Sequence, residues 1–214
     1  MLAKVAESAD AVTDRADHWD SAYRDRGVAG VSWFQSEPAL SLELIERLGV
    51  APDAAVMDVG GGASSLVDHL VDRGFTDISV LDISQAALED ARLRVGEIAA
   101  VRWLHEDLLS WNPARRYGLW HDRAVFHFLT EEADRDRYLD CLGSGIEPGG
   151  GLIIATFAED GPEYCSGLRV ARYSAQDLLN LLGPEFQAVA VRRELHMTPG
   201  GVVQPFTWVA ARAA

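Results

Sequence analysis

Three aspartates and one glycine run stand out by their spacing. Asp58, Asp82 and Asp107 lie 24 and 25 residues apart, and Gly60-Gly61-Gly62 follows the first of them. That interval is about one strand plus one helix, so the acids recur at equivalent points of a repeating unit. An ionised carboxylate only accepts hydrogen bonds, and paired ribose hydroxyls or an exocyclic amine can donate them. Glycines let a ligand approach the backbone, where the N–H groups of a helix start point at it. Asp82 is placed for ribose hydroxyls and Asp107 for an exocyclic amine. Asp58 can orient the glycine turn or hold an ammonium through water. Each feature alone also has a plainer reading. The glycines can be a turn, Asp82 can compete with Ser84 as a helix N-cap, and Asp107 can be a solvated loop acid.

A second group of reactive side chains lies in Trp120-His121-Asp122-Arg123-Ala124-Val125-Phe126-His127-Phe128. Neutral imidazole is a competent base near pH 7. His121 is expected nearest a strand end, so it or Asp122 should approach a bound ligand or the reacting centre, and His127 is a further candidate base. Against this, Asp122 and Arg123 can form structural hydrogen bonds, and His127 can pack on an apolar helix face. The loop Glu159 to Leu168 holds Cys165, either a soft ligand or a small hydrophobe. Arg169, Arg172 and Tyr173 follow it without a decisive pattern. Trp19, Tyr23, Trp33 and Phe34 form an aromatic segment. It can be a lid that meets a cation through its ring faces, or filling between helices and sheet.

These groups need a scaffold of strands alternating with helices. Ala55 to Val59, Ile78 to Leu81, Val101 to His105, Leu119 to His121 and Gly151 to Phe157 read as strands. Helices are expected at Ala63 to Arg73, Gln85 to about Val95 (capped by Ser84), Glu131 to Leu142 (capped by Thr130) and Ser174 to Leu182. Such alternation implies a parallel sheet with right-handed crossovers. Phe186 to Leu195 and Val202 to Arg212, joined at Pro199-Gly200-Gly201, read as an antiparallel pair. Helical stretches Asp14 to Arg26 and Pro38 to Leu48 come first. Ligands of open α/β sheets bind at the carboxyl ends of strands, which is where the three acids fall.

The block Val56-Met57-Asp58-Val59-Gly60-Gly61-Gly62-Ala63-Ser64 resembles the glycine-rich signature of class I S-adenosylmethionine-dependent methyltransferases. Asp82 matches that family's ribose acid. Glu106-Asp107-Leu108 is similar to its adenine-contacting segment, and Glu147 to Leu152 to the turn before its fifth strand. Ser64 replaces the third glycine of the usual pattern. The resemblance, over roughly Ala54 to Arg212, implies a Rossmann-like α/β fold whose seven-stranded, mostly parallel sheet ends in an antiparallel hairpin. It implies a helical N-terminal cap over 1–53 and a methyltransferase domain over 54–214. S-adenosyl-L-methionine would be the cofactor, contacted by Trp33, Asp58, Gly60, Gly61, Gly62, Asp82, Ile83, Asp107, Leu108 and His121. His121, Asp122 and His127 would be the catalytic candidates, and no metal is assigned. A nicotinamide-binding fold is the nearest rival, but it asks for G-x-G-x-x-G and has serine here at its last position, Ser65. The aromatic N-terminal segment, Ser36 to Leu40 and Trp120 to Ala124 are also similar to the thiopurine and thiol methyltransferase branch.

Composition narrows the acceptor. The chain has 214 residues and a formal net charge of −14, with 33 acids against 19 bases. Of those bases only Lys4 is a lysine, and no basic face for nucleic-acid phosphates is visible. No run of apolar residues is long enough for a membrane span, and the start lacks the apolar core of a signal peptide. Two cysteines do not make a disulfide framework, so a cytoplasmic location is expected. The expected acceptor is a small molecule with an S, O or N nucleophile, a thiol slightly favoured. A protein lysine is the alternative, and a non-catalytic cofactor-binding subunit ranks lower. Monomer and homodimer both stay open.

Overall fold

The computed structural model describes residues 15–214, so Lys4 and Asp14 lie outside the described residues. Helix α1 covers 15–26 and is followed by a 3-10 turn at Val28–Gly30, then α2 at Ala39–Arg47. The repeating units are β1 (Val56–Val59), α3 (Leu66–Asp72), β2 (Ile78–Asp82), α4 (Gln85–Val95), β3 (Val101–His105) and β4 (Tyr117–Arg123). A second 3-10 turn at Phe126–Phe128 leads to α5 (Glu132–Gly145) and β5 (Ile146–Phe157). A small hairpin, β6 (Tyr164–Cys165) and β7 (Leu168–Arg169), precedes α6 (Ala175–Leu182), β8 (Phe186–Met197) and β9 (Val203–Ala213).

Seven strands form one sheet in the order β3-β2-β1-β4-β5-β9-β8. The first five are parallel, and β9 runs antiparallel to both β5 and β8. This is the mixed sheet with an antiparallel hairpin that the sequence implies. The chain leaves β1 towards β2 on one side and later returns to β4 on the other. The crevice of an open α/β sheet forms at such a reversal.

Alternation along the strands divides the core into two layers. In β5, Ile153, Ala155 and Phe157 face α2 and α3, while Leu152 and Ile154 face α5 and α6. Apolar residues at successive positions are what a strand buried on both faces requires. In the same way Val56 and Leu119 face the α2 layer, and Met57, Val59 and Trp120 face the α5 layer.

Two boundaries differ from the sequence reading in ways that matter for the site. Strand β4 runs from Tyr117 to Arg123, beyond the expected Leu119 to His121, because Tyr117 pairs with Ile146 and Arg123 with Ala155. Helix α3 starts at Leu66 and not Ala63, with Ser64 Oγ accepting the Leu66 N–H at 3.1 Å. Residues 60–65 thus stay in the turn after β1. The caps also sort out. Ser84 and Ser174 cap α4 and α6 with their side chains, the latter in a capping box with Asp177. Helix α5 begins one residue late for Thr130, with Glu131 at the N-cap and no side-chain cap bond. Ser174→Ala should therefore cost about 1 kcal/mol in urea unfolding. Thr130→Ala should stay within about 0.5 kcal/mol.

Candidate active site

The turn after β1 is built for close approach. A Cβ on Gly61 would lie 2.5 Å from Asp58 Oδ2 and 2.7 Å from Val80 Cγ1. On Gly62, whose φ is +41°, it would lie 2.7 Å from Asp82 Oδ2 and 2.9 Å from the Tyr23 hydroxyl. No side chain fits there, so the backbone is left bare between two carboxylates.

Asp82 ends β2, and its Oδ1 accepts the Ser84 N–H at 2.8 Å. Burial pushes its carboxyl up to about 7; the Ser84 N–H opposes that rise and the nearby Asp58 charge adds to it. Burial raises the Tyr23 hydroxyl as well, with Asp82 contributing. Asp107 follows β3. Its Oδ1 accepts the Leu109 N–H at 3.0 Å, and its Oδ2 is taken by Arg15 of α1 at 2.6 Å. Asp82, Ile83, Asp107 and Leu108 line one side of a cleft of about 900 Å³, open mouth included. Trp19, Tyr23 and Trp33 line it too, and Phe128, Arg123 and Cys165 stand towards the β4 and β5 side. A second cleft, about 550 Å³, holds Asp58, Gly61, Ser64 and His121, and shares Tyr23, Trp33, Val59, Gly60 and Arg123 with the first.

The roof is aromatic and edge-to-face. Trp19 meets Trp33 at 5.6 Å and Phe128 at 5.0 Å between ring centroids, and Tyr23 meets Trp33 at 5.8 Å. The Trp33 indole N–H donates to the Tyr23 hydroxyl at 3.2 Å. Asp20 ties α1 to the start of α4, accepting from Ser84 Oγ at 2.7 Å and from the Ala86 N–H at 3.2 Å.

The longer β4 redistributes the residues of the second cluster. Asp58 pairs across the sheet with His121, so both side chains leave by the same face. His121 Nδ1 donates to Asp58 Oδ1 at 2.7 Å, and its Nε2 stands 2.9 Å from Ser41 Oγ of α2. A carboxylate accepts, so Nδ1 carries a proton; when the ring is neutral, the serine hydroxyl donates to Nε2. Both ring nitrogens are engaged and the side chain is buried.

Asp122 leaves by the opposite face, where Oδ1 accepts the Val125 and Phe126 N–H groups at 3.0 and 3.4 Å. Burial lifts its carboxyl to about 6 against those bonds. His127 is buried between Phe128 and Phe157, and its Nδ1 accepts the Phe157 N–H at 3.2 Å. Burial, helped by the Arg123 charge, lowers it to about 3, so it stays neutral. Asp122 and His127 line neither cleft. The structure thus places two of the three expected catalytic groups away from both clefts, while His121 lines the second. A strand extended by two residues hands the rim to Arg123, and Ala124 turns the chain there with φ 70°.

Cys165 does reach the cleft. The two-residue turn Ser166-Gly167, with φ of 48° and 80°, folds β6 back on β7 and aims the thiol inward. Burial raises that thiol to about 11, so it is neutral. Arg15 and Ser41 complete the site without having been singled out in the sequence, each through a contact between residues far apart in the chain. Tyr23, from the aromatic segment, and Arg123, from the reactive stretch Trp120 to Phe128, join them there.

A methyltransferase-domain family model matches residues 56–150. EEF1A lysine methyltransferase 2 of Danio rerio is 24% identical over 204 residues, covering 87% of this chain and 81% of its own. Malonyl-[acyl-carrier protein] O-methyltransferase 1 of Ilyobacter polytropus is 28% identical over 103 residues, covering 48% of this chain and 37% of its own. Among solved structures, the 1,6-didemethyltoxoflavin-N1-methyltransferase of Burkholderia thailandensis, with 1,6-didemethyltoxoflavin and S-adenosylhomocysteine bound, superposes with a TM-score of 0.73. It is 21% identical and covers 97% of this chain and 90% of that one. The bare glycine turn between Asp58 and Asp82, at the reversal of the strand order, fits S-adenosylmethionine. On these grounds together the chain belongs to the class I S-adenosylmethionine-dependent methyltransferases, with S-adenosylmethionine as its methyl donor.

Proposed function

We propose that the chain methylates a small molecule held under the aromatic roof. The observation that carries this reading is the chamber itself. Trp19 and Trp33 cover it, while Phe128, Arg123 and Cys165 stand on the side away from Asp107. Such a chamber suits a compact acceptor better than a polypeptide. A protein lysine acceptor is the second reading, favoured by the likeness to EEF1A lysine methyltransferase 2 over most of this chain. The chain would be incubated with labelled S-adenosylmethionine, first with thiols, amines, phenols and carboxylic acids, then with protein extract. Label in small-molecule products supports the first reading. Label confined to protein would overturn it.

When bound, S-adenosylmethionine supplies a methyl group on a sulfonium, open to in-line attack. In this reading the residues of the chain bind and align. Asp82 would accept the ribose hydroxyls, Ile83 and Leu108 would take the adenine, and Asp107, now paired with Arg15, would accept its amine. The turn Gly60 to Gly62 and Asp58 receive the methionine portion beside Trp33. His121 is a positioning residue: held by Ser41, it fixes the Asp58 carboxylate through Nδ1. No buried base is needed when alignment dominates. A neutral Cys165 and the aromatic rings keep water from the reacting atoms.

Asp82→Ala should weaken S-adenosylhomocysteine binding by about 1.5–3 kcal/mol in titration calorimetry. Asp82 also gives a pH dependence. Its folded pKa, near 7, lies above the ordinary 3.8, so the folded chain holds the proton more tightly. Its contribution to stability is greatest at low pH and falls as pH rises from about 4 to 7. Ribose hydroxyls need the ionised acceptor, so affinity for S-adenosylhomocysteine should rise between pH 6 and 8. It should be flat in Asp82→Asn. His127→Leu should leave that affinity unchanged, yet cost about 1–3 kcal/mol in unfolding through the orphaned Phe157 N–H.

A further inference from the structure

The guanidinium of Arg123 is held at one nitrogen and over one face, and its Nε/Nη2 edge is buried without a hydrogen-bond partner among the described residues. Its Nη1 donates to the Trp33 carbonyl at 2.9 Å, and its central carbon lies 4.8 Å from the centre of the Phe206 ring. The nearest acid is Glu194, whose Oε2 stands 4.0 Å from Nη2, beyond hydrogen-bond reach. Glu194 is not free to come closer, since Gln35 Nε2 holds its Oε1 at 2.7 Å and the Trp208 indole N–H its Oε2 at 3.0 Å. The Arg123 side chain is only 10% exposed, and its Nε and Nη2 are shielded from water with no partner among the described residues. Two buried, unpaired, charged donors are costly to leave unmade. Burial lowers the guanidinium to about 10, so it keeps its charge at neutral pH. That charge helps depress His127 and His196, whose shifts are led by burial, and it opposes the rise of Cys165.

Nε–H and Nη2–H lie on one edge of the guanidinium and point in parallel, the spacing that a carboxylate matches with both oxygens. We propose that this edge of Arg123 receives a carboxylate carried by the methyl acceptor, making the substrate a small organic acid. The inference rests on the small-molecule reading above and names the class of molecule. Arg123 lines both clefts where they meet, next to Trp33, and Cys165 shares the first cleft with it. The edge is covered in this state. In this proposal the segment carrying Trp33 lifts to admit the acid, whose apolar body would then lie against Trp19 and Phe128. The Phe206 ring holds the guanidinium plane, so the acid docks in one orientation.

The test is titration calorimetry on the chain saturated with S-adenosylhomocysteine, using matched probes that differ only in charge. Benzoate is paired with benzamide and 3-phenylpropionate with 3-phenylpropionamide. The acids should bind at least about tenfold more tightly than their amides, as a charged hydrogen-bond pair requires. Arg123→Met should abolish the preference. Arg123→Lys should recover less than half of it, because an ammonium lacks the fork. Equal binding of acids and amides by the unaltered chain overturns the proposal, and so does an undiminished preference in Arg123→Met. Displacement of the bound S-adenosylhomocysteine by the acids also overturns it, since the edge would then hold the cofactor's own carboxylate. If Arg123→Met does not fold, the paired probes on the unaltered chain and Arg123→Lys decide alone. Methylation of neutral small molecules only would sink the acid and keep the small-molecule reading, whereas methylation of protein only would sink both.

Discussion

Parallel pairing of β1 with β4 sets where every reactive group can be. Asp58 stands opposite His121 and Val59 opposite Asp122, and each further residue turns to the other face. His121 is therefore drawn to Asp58 and to Ser41 on α2, while Asp122 is delivered to the α5 side. A one-residue slip would exchange them, placing an acid beside Asp58 and an imidazole under the turn that Asp122 now holds. The glycine turn, the Asp82 rim and the roof all depend on the same edge, because the roof hangs from Arg123, the last residue of β4.

The charges at this rim are unequal in how well they are served. Asp58 has an imidazole, and Asp107 has Arg15. Asp82 has backbone N–H groups but no cation among the described residues, and burial dominates its titration. Arg123 has one carbonyl and a distant acid. Structural ion pairs elsewhere, such as Arg94 with Asp68 or Arg193 with Asp160, are closed and solvated. Buried charges left incomplete cluster where a ligand would complete them.

The strand ends that carry Asp58, Asp82 and Asp107 were legible because short apolar runs stop there at glycine or acid. Ser84 and Ser174 were legible as caps for the same local reason, a small hydroxyl before an apolar period. The extent of β4 was not. Tyr117 and Arg123 are strand residues because β5 pairs with them, and no local pattern carries that. With the longer strand, Arg123 stands at the strand end that the sequence pattern assigns to His121, while His121 lines the second cleft beside Asp58. Ser41 and Arg15 were beyond reach of pattern altogether, since their partners lie 80 and 92 residues away and meet them only once the layers pack.

The acid surplus noted at the outset acquires a second meaning beside Arg123. A field from 14 excess negative charges surrounds a cleft whose wall carries the Arg123 guanidinium together with Asp82, Glu106 and Asp107. The outer field is screened over about 8 Å in physiological salt, while the inner charge, away from water, is hardly screened at all. If the acceptor is the small acid proposed above, it is repelled outside and retained at Arg123 inside. Its capture rate climbs with ionic strength while its escape rate scarcely changes, and a neutral compound senses neither. The molecule becomes a slow collector with a firm grip, a kinetic character set by the opposition of surface and interior.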